Sequence, residues 1–125
     1  MNGFQLPRVA NSNNPLRLAV FISGSGSGMA ALLSHQQSSN CAHSTELVVS
    51  NIQGVGGLQL AETFGVSTEV VELIPGMERT KHEDLILEVL EKYEIEAIIL
   101  SGYMRILSSS FVEKWEGRIL NIHPS

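Results

Sequence analysis

Two side chains near the end of the sequence have the chemistry to work on a carbonyl carbon. Asn121 and His123 flank Ile122 in the run Ile119-Leu120-Asn121-Ile122-His123. In an extended segment, residues two apart face the same way, so the amide and the imidazole converge while Ile122 points into a core. An amide can donate to a carbonyl oxygen as negative charge develops there, and an imidazole can exchange a proton near neutral pH. Together they suit attack by an amine on a formyl or acyl group. Taken alone, a histidine near a strand end is ordinary structure more often than catalyst. No serine or cysteine nucleophile is signalled, and no cluster of His, Asp and Glu has metal-ligand spacing.

A second candidate lies near the start. Ser23-Gly24-Ser25-Gly26-Ser27-Gly28 follows the apolar run Leu16–Ile22 and precedes a helical pattern. Its glycines allow a tight turn, and its backbone N–H groups, with the Ser25 and Ser27 hydroxyls, can surround a phosphate at the positive end of a helix. The motif is ambiguous. It also opens a weak dinucleotide fingerprint, but no acidic residue closes a second strand at the right distance, and the absence of a Lys-Ser or Lys-Thr pair excludes a Walker-type loop. Two further polar sites follow apolar runs. Ser50-Asn51 is as readily a turn as a ligand contact. Gly102-Tyr103-Met104-Arg105-Ile106-Leu107 can wall a flat heterocycle or simply seal the core beneath the next helix.

These candidates need a frame that brings the ends of several strands together. The periodicity predicts strands at Leu16–Ile22, Leu47–Val49, Ser67–Leu73, Ala97–Leu100 and Ile119–Ile122. Helices are expected over Met29–Gln37, over Leu58–Phe64 with Gly65 as a C-terminal cap, and from Thr80, with Glu83 completing a capping box. Leu85, Ile86, Val89, Leu90 and Tyr93 mark the buried stripe of that third helix. Ser108 is placed to cap a fourth helix carrying Phe111, Val112 and Trp115. Strands alternating with helices imply right-handed crossovers and a Rossmann-like, mostly parallel α/β sheet with helices on both faces. Residues 1–15, rich in Asn, read as a flexible leader, and residues 16–125 as one domain.

Composition narrows the function. The 125 residues are 43% hydrophobic and 17% charged, with a formal net charge of −5. No basic tract offers a nucleic-acid footprint, whereas an anionic metabolite needs only a few local donors. No run approaches the ~18 apolar residues of a membrane span. Cys41 is the sole cysteine, so neither an intrachain disulfide, a CxxC pair nor a thiolate zinc site is expected. The expected compartment is the cytoplasm, with organelle targeting by residues 1–15 left open.

The motifs at 23–27, 50–51, 102–108 and 117–125 occur in the order found in phosphoribosylglycinamide formyltransferases, which the chain resembles from Leu16 onward. The resemblance implies that Gly26, Ser27 and Gly28 hold the phosphate of glycinamide ribonucleotide. It implies that Arg79, Met104, Arg105, Ile106, Leu107 and Asn121 bind 10-formyltetrahydrofolate, and that Asn121 and His123 are catalytic, with no metal required. It further implies that the formyl group passes to the amine of 5'-phosphoribosylglycinamide in purine biosynthesis.

Three departures qualify the resemblance. Gly28 stands where the family usually has Asn, and Ile52 where it usually has Lys. The family's supporting aspartate lies downstream of the histidine, beyond Ser125. The fold is therefore expected to be cut off after the fifth strand and the isolated chain to lack turnover. Formyltetrahydrofolate deformylase resembles the chain through Tyr-Met-Arg-Ile-Leu, and methionyl-tRNA formyltransferase shares the Asn-x-His pair. A non-catalytic phosphate- or nucleotide-binding domain is the remaining alternative. The motifs do not indicate an oligomeric state.

Overall fold

Leu16–Ile22 (β1) is apolar on both faces after Arg17, a pattern that suits a strand with neighbours on either side and helices above and below. It occupies that position in the computed structural model, which describes residues 6–38 and 40–122. His43–Ser50 (β2) and Ser67–Val70 (β3) lie to one side of β1, and Ala97–Ser101 (β4) and Ile119–Ile122 (β5) to the other. The order is β3-β2-β1-β4-β5, and every pairing is parallel.

Side chains alternate between two cores. Ala19 and Phe21 of β1, Leu47 and Val49 of β2 and Ile98 of β4 face Arg79–Lys92 (α3) and Ser109–Trp115 (α4), which contribute Ile86, Leu90, Phe111 and Trp115. Leu18, Val20, Ile22, Val48, Ala97 and Ile99 face the other way. There they meet Met29 and Leu33 of Ser27–His35 (α1) and Ala61 of Gly56–Thr63 (α2). The sheet is thus covered on both faces, as the alternation of strands and helices implied.

Among the boundaries that differ from the sequence expectation, those of β2, β3 and α3 bear on how the elements join. β2 begins at His43 rather than Leu47, because Leu16, Arg17 and Leu18 of β1 supply ladder partners for the polar residues His43, Ser44 and Thr45. β3 stops at Val70 rather than Leu73, where its partner β2 ends at Ser50. The capping box at Thr80 and Glu83 does not form. α3 starts at Arg79 after Glu78, with no side-chain cap.

Glu83 instead reaches across to α4. It is 5% exposed and accepts the Ser108 N–H at 2.8 Å and the Ser108 hydroxyl. The same hydroxyl accepts the Phe111 N–H at 3.2 Å, giving the N-cap expected of Ser108. His82, beside Glu83, bonds the Val71 carbonyl through Nε2 at 2.7 Å, which fixes the opposite side of α3 to the exit of β3. At the amino end of the sheet, Arg8 donates to both carboxylate oxygens of Glu96, at 2.6 and 2.9 Å, and to the carbonyls of Asn14 and Pro15. The Arg8 hydrogen bond is the main reason that the Glu96 carboxyl lies below its ordinary pKa. No helix among the described residues is long and apolar enough to cross a membrane.

Glu83 carries the joint between α3 and α4, so Glu83→Ala should lower stability by about 2 kcal/mol by leaving the half-buried Ser108 N–H and hydroxyl without their charged acceptor. Glu83→Gln retains an acceptor and should lose less. Urea unfolding of the two variants checks the order.

Candidate functional site at the carboxyl ends of the strands

The chain runs from β1 outward through β2 and β3, then returns to the other side of β1 for β4 and β5. Loops leaving β1 and β4 therefore diverge, and the crevice between them is where open parallel sheets take ligands. A cavity of about 250 Å³ lies there, lined by Ser23 to Gly28, Ser101, Gly102 and Met104. The glycine turn and the start of the Gly102–Leu107 segment, far apart in sequence, form its two sides.

The turn is shaped by backbone rather than side chains. Gly26 has φ 64° and ψ 41°, a left-handed conformation that glycine adopts at little cost, and it is the N-cap of α1. The cap has no side-chain hydrogen bond. The Gly26 carbonyl receives the Met29 and Ala30 N–H groups. The first N–H groups of the helix, on Ser27 and Gly28, have no hydrogen-bond partner among the described residues. They carry the positive end of the helix dipole beside the cavity, the arrangement that receives an anion. Sequence reasoning placed Ser27 and Gly28 in the loop; both belong to the helix, because Gly26 completes the turn two residues earlier.

Gly57 lies beneath this turn. A Cβ there would meet Ile22 Cδ1 at 2.4 Å and the Gly24 carbonyl oxygen at 2.8 Å, and the Gly57 N–H donates to that oxygen at 3.0 Å. Gly57 thus allows α2 to touch this turn.

Ser23 joins the strand exits. Its hydroxyl donates to Asn51 Oδ1 at 2.6 Å and accepts the Met104 N–H at 2.7 Å. Asn51, open between turn and ligand contact in the sequence, is thus tied to β1. Ser50 is fully buried, and its hydroxyl both donates to the Ile52 carbonyl and accepts the Ile52 N–H, closing the turn at the end of β2. Sequence reasoning assigned no role to Ser23 as a link or to Ser101 as a lining residue. The only available signal was a small hydroxyl residue at each strand exit.

The segment after β4 divides between the two readings left open. Tyr103 and Leu107 pack on the core, and the Tyr103 ring meets Phe21 edge-on at 5.3 Å. Met104 and Ile106 are exposed, as is Arg105, and Met104 borders the cavity. The Tyr103 hydroxyl is buried with no hydrogen-bond partner among the described residues. Burial pushes its pKa up to about 12, with Arg105 opposing and Glu83 reinforcing the shift.

β5 adjoins the turn. A Cβ on Gly28 would lie 3.1 Å from Ile122 Cγ2 and 3.3 Å from Ser101 Oγ, so the start of α1 abuts the ends of β4 and β5. Ile122 packs into the core beside Met29 and Ile99. Asn121 is exposed and pairs in register with Leu100. His123 lies outside the described residues. Arg79, the first residue of α3, is exposed and does not line the cavity.

The family described as "Formyl transferase" matches residues 16–125. The chain belongs to this family. It is 45% identical over 112 residues to the trifunctional purine biosynthetic protein adenosine-3 of Gallus gallus, covering 90% of this chain and 11% of that protein. It is 31% identical to phosphoribosylglycinamide formyltransferase of Escherichia coli, covering 88% of this chain and 52% of that enzyme. Phosphoribosylglycinamide formyltransferase from Brucella melitensis superposes with a TM-score of 0.85 at 41% identity, covering 90% of this chain and 58% of that one. The chain thus spans little more than half of these single-activity relatives.

Two outcomes test the geometry of this formyl transferase fold. Gly57→Ala should cost about 1–3 kcal/mol, since Ile22 and the Gly24 carbonyl must shift. Gly56→Ala, whose Cβ would find its nearest atom at 3.9 Å, should cost far less in the same urea titration. Tyr103 should ionise near pH 12, read as the phenolate absorbance that Tyr103→Phe removes. The unfolded chain releases this proton near pH 10. Its contribution to stability is therefore full below pH 10 and lost as pH rises toward about 12. Tyr103→Phe should flatten that alkaline decline.

Proposed function

We propose that the protein to which this chain belongs transfers a formyl group from 10-formyltetrahydrofolate to the amine of 5'-phosphoribosylglycinamide. The observation that carries the reading is the contact between the anion-type turn and β5, where a Cβ on Gly28 would lie 3.1 Å from Ile122. A substrate phosphate on the N–H groups of Ser27 and Gly28 would extend its amine toward β5, which bears Asn121 and which His123 follows in the sequence. The names of the E. coli and Brucella relatives support the same substrate.

In this mechanism the amine attacks the formyl carbon. The Asn121 amide donates to the oxygen as it becomes negative, an interaction stronger in the transition state than in the bound substrates. His123 stabilises the same charge and helps pass the amine's proton to the departing folate nitrogen. The exposed Met104, Arg105 and Ile106 would supply the folate-side wall with Leu107 packed behind them, and Arg79 would meet the cofactor outside the cavity, at the start of α3. Gly28 offers only its backbone N–H where the family usually has an asparagine side chain, and Ile52 brings no charge. Both bear on substrate affinity rather than on the reaction.

The test uses the whole protein to which this chain belongs. Formylated ribonucleotide should appear in step with loss of the folate formyl group. Release of formate at a rate indifferent to the ribonucleotide would replace this reading with a deformylase. Asn121→Ala should lower kcat on the order of 100-fold while folate binding changes little. Weaker folate binding with kcat intact would assign Asn121 to ground-state binding alone.

A further inference from the structure

Away from the cavity, at the amino end of the sheet, three soft or borderline donors meet. His35 ends α1, Cys41 lies in the connection that follows, and His43 opens β2. One ligand atom from each falls within 4.8 Å of the other two. His35 is exposed, and Cys41 and His43 are partly buried. The site is remote from the crevice in the fold, because His43 pairs with Leu16 at the beginning of β1, whereas the cavity begins after Ile22 at its end.

Contrary to the expectation from a single cysteine, we propose that His35, Cys41 and His43 bind Zn2+, the two imidazoles completing three protein ligands and the fourth position open to water. The donor set is one that zinc favours, thiolate sulfur with imidazole nitrogen. In a tetrahedral zinc centre, bond lengths near 2.0–2.3 Å put ligand atoms about 3.3–3.6 Å apart. The three atoms must therefore draw together by little more than an ångström. Rotation of the His35 side chain at the exposed helix end and of Cys41 in the connection supplies that movement without shifting β2.

Gln36 sets the cost of binding. Its Oε1 accepts the Thr45 N–H at 3.1 Å, which fixes the amide so that Nε2 faces His43 Nδ1 at 2.8 Å. Nδ1 is therefore the acceptor, and the neutral ring carries its proton on Nε2. Zinc must break this bond by either route. It can take Nδ1 in place of Gln36. It can also take Nε2, which moves the ring proton to Nδ1, where the amide no longer donates to it. Each residue also has a local explanation: His35 suits the negative end of α1, and His43 anchors the start of β2 through Gln36. Neither explains why the only cysteine of the chain joins them with its sulfur inside the same small volume.

The ion would pin the end of α1 to the start of β2 and stabilise the folded chain by mass action, without touching the formyl-transfer groups. The purified protein is titrated with Zn2+, and with Co2+ as a spectroscopic probe, under reducing conditions. One Co2+ per chain should bind with a thiolate-to-cobalt charge-transfer band in the near ultraviolet, be displaced by Zn2+, and be indifferent to excess Mg2+. Cys41→Ser should abolish the band and weaken Zn2+ at least ~10-fold. His35→Gln, at an exposed position that should not disturb folding, should weaken Zn2+ by a similar factor. Thermal unfolding should shift upward with Zn2+ in the parent protein and not in Cys41→Ser. Co2+ binding without a thiolate band, displacement by Mg2+, or undiminished Zn2+ affinity in both variants would overturn the proposal.

Discussion

The Ser23 hydroxyl holds the exits of β1, β2 and β4 in one arrangement, and the shape of the cavity depends on it. An oxygen bearing one proton can donate once and still accept, and both capacities are used: the proton goes to Asn51 and a lone pair takes the Met104 N–H. Ser23 is 6% exposed, so water is a poor substitute. An aliphatic residue there would leave the part-buried Met104 N–H and the Asn51 amide oxygen without this partner, each a loss of about 1 kcal/mol. Cavity shape and local stability thus share a cause.

Close backbone approach is the second constraint. Gly26 turns the chain so that α1 starts almost as soon as β1 ends, which places bare helix N–H groups at the carboxyl end of the central strand rather than a loop's length away. Gly57 lets α2 support that turn from below through its bond to the Gly24 carbonyl. Gly28 lets the first turn of α1 reach β5, where its missing side chain would otherwise meet Ile122 and Ser101. The contact between turn and strand requires all three.

What was legible in the sequence follows from the range of the forces involved. β1 and β4 stood out because their burial is written into contiguous apolar residues, β5 because it is apolar around Asn121 although none of its residues is fully buried, and the Ser108 cap because its partner Phe111 is three residues away. The polar start of β2 was hidden, since its partners come from β1. Glu83 looked like a local cap and proved to be a partner of Ser108, 25 residues away. Ser23 was hidden for the same reason, its partners lying 28 and 81 residues distant. The approach of His35, Cys41 and His43 was also invisible, because a helix end, a connection and a strand start follow no common period. The tight turn between β1 and α1 was legible, because a strand, a glycine run and a helix in succession leave the chain few alternatives.

A net charge of −5 does not by itself exclude the phosphate-bearing substrate proposed above, because distance and cavity lining set the local field. None of the residues that line the cavity is charged; they are serines, glycines and Met104. Carboxylates elsewhere on the surface act through water and salt, which screen them over about 8 Å at physiological ionic strength. Helix N–H groups act at hydrogen-bond distance, where the positive dipole end and direct donation add to each other. Local donors therefore outweigh the distant acids. Because the cavity donates through backbone rather than lysine or arginine, binding there should depend on how well the turn is held by Gly26 and Gly57, and only weakly on salt. The acidic surface and the anion-type turn are compatible because they work over different ranges.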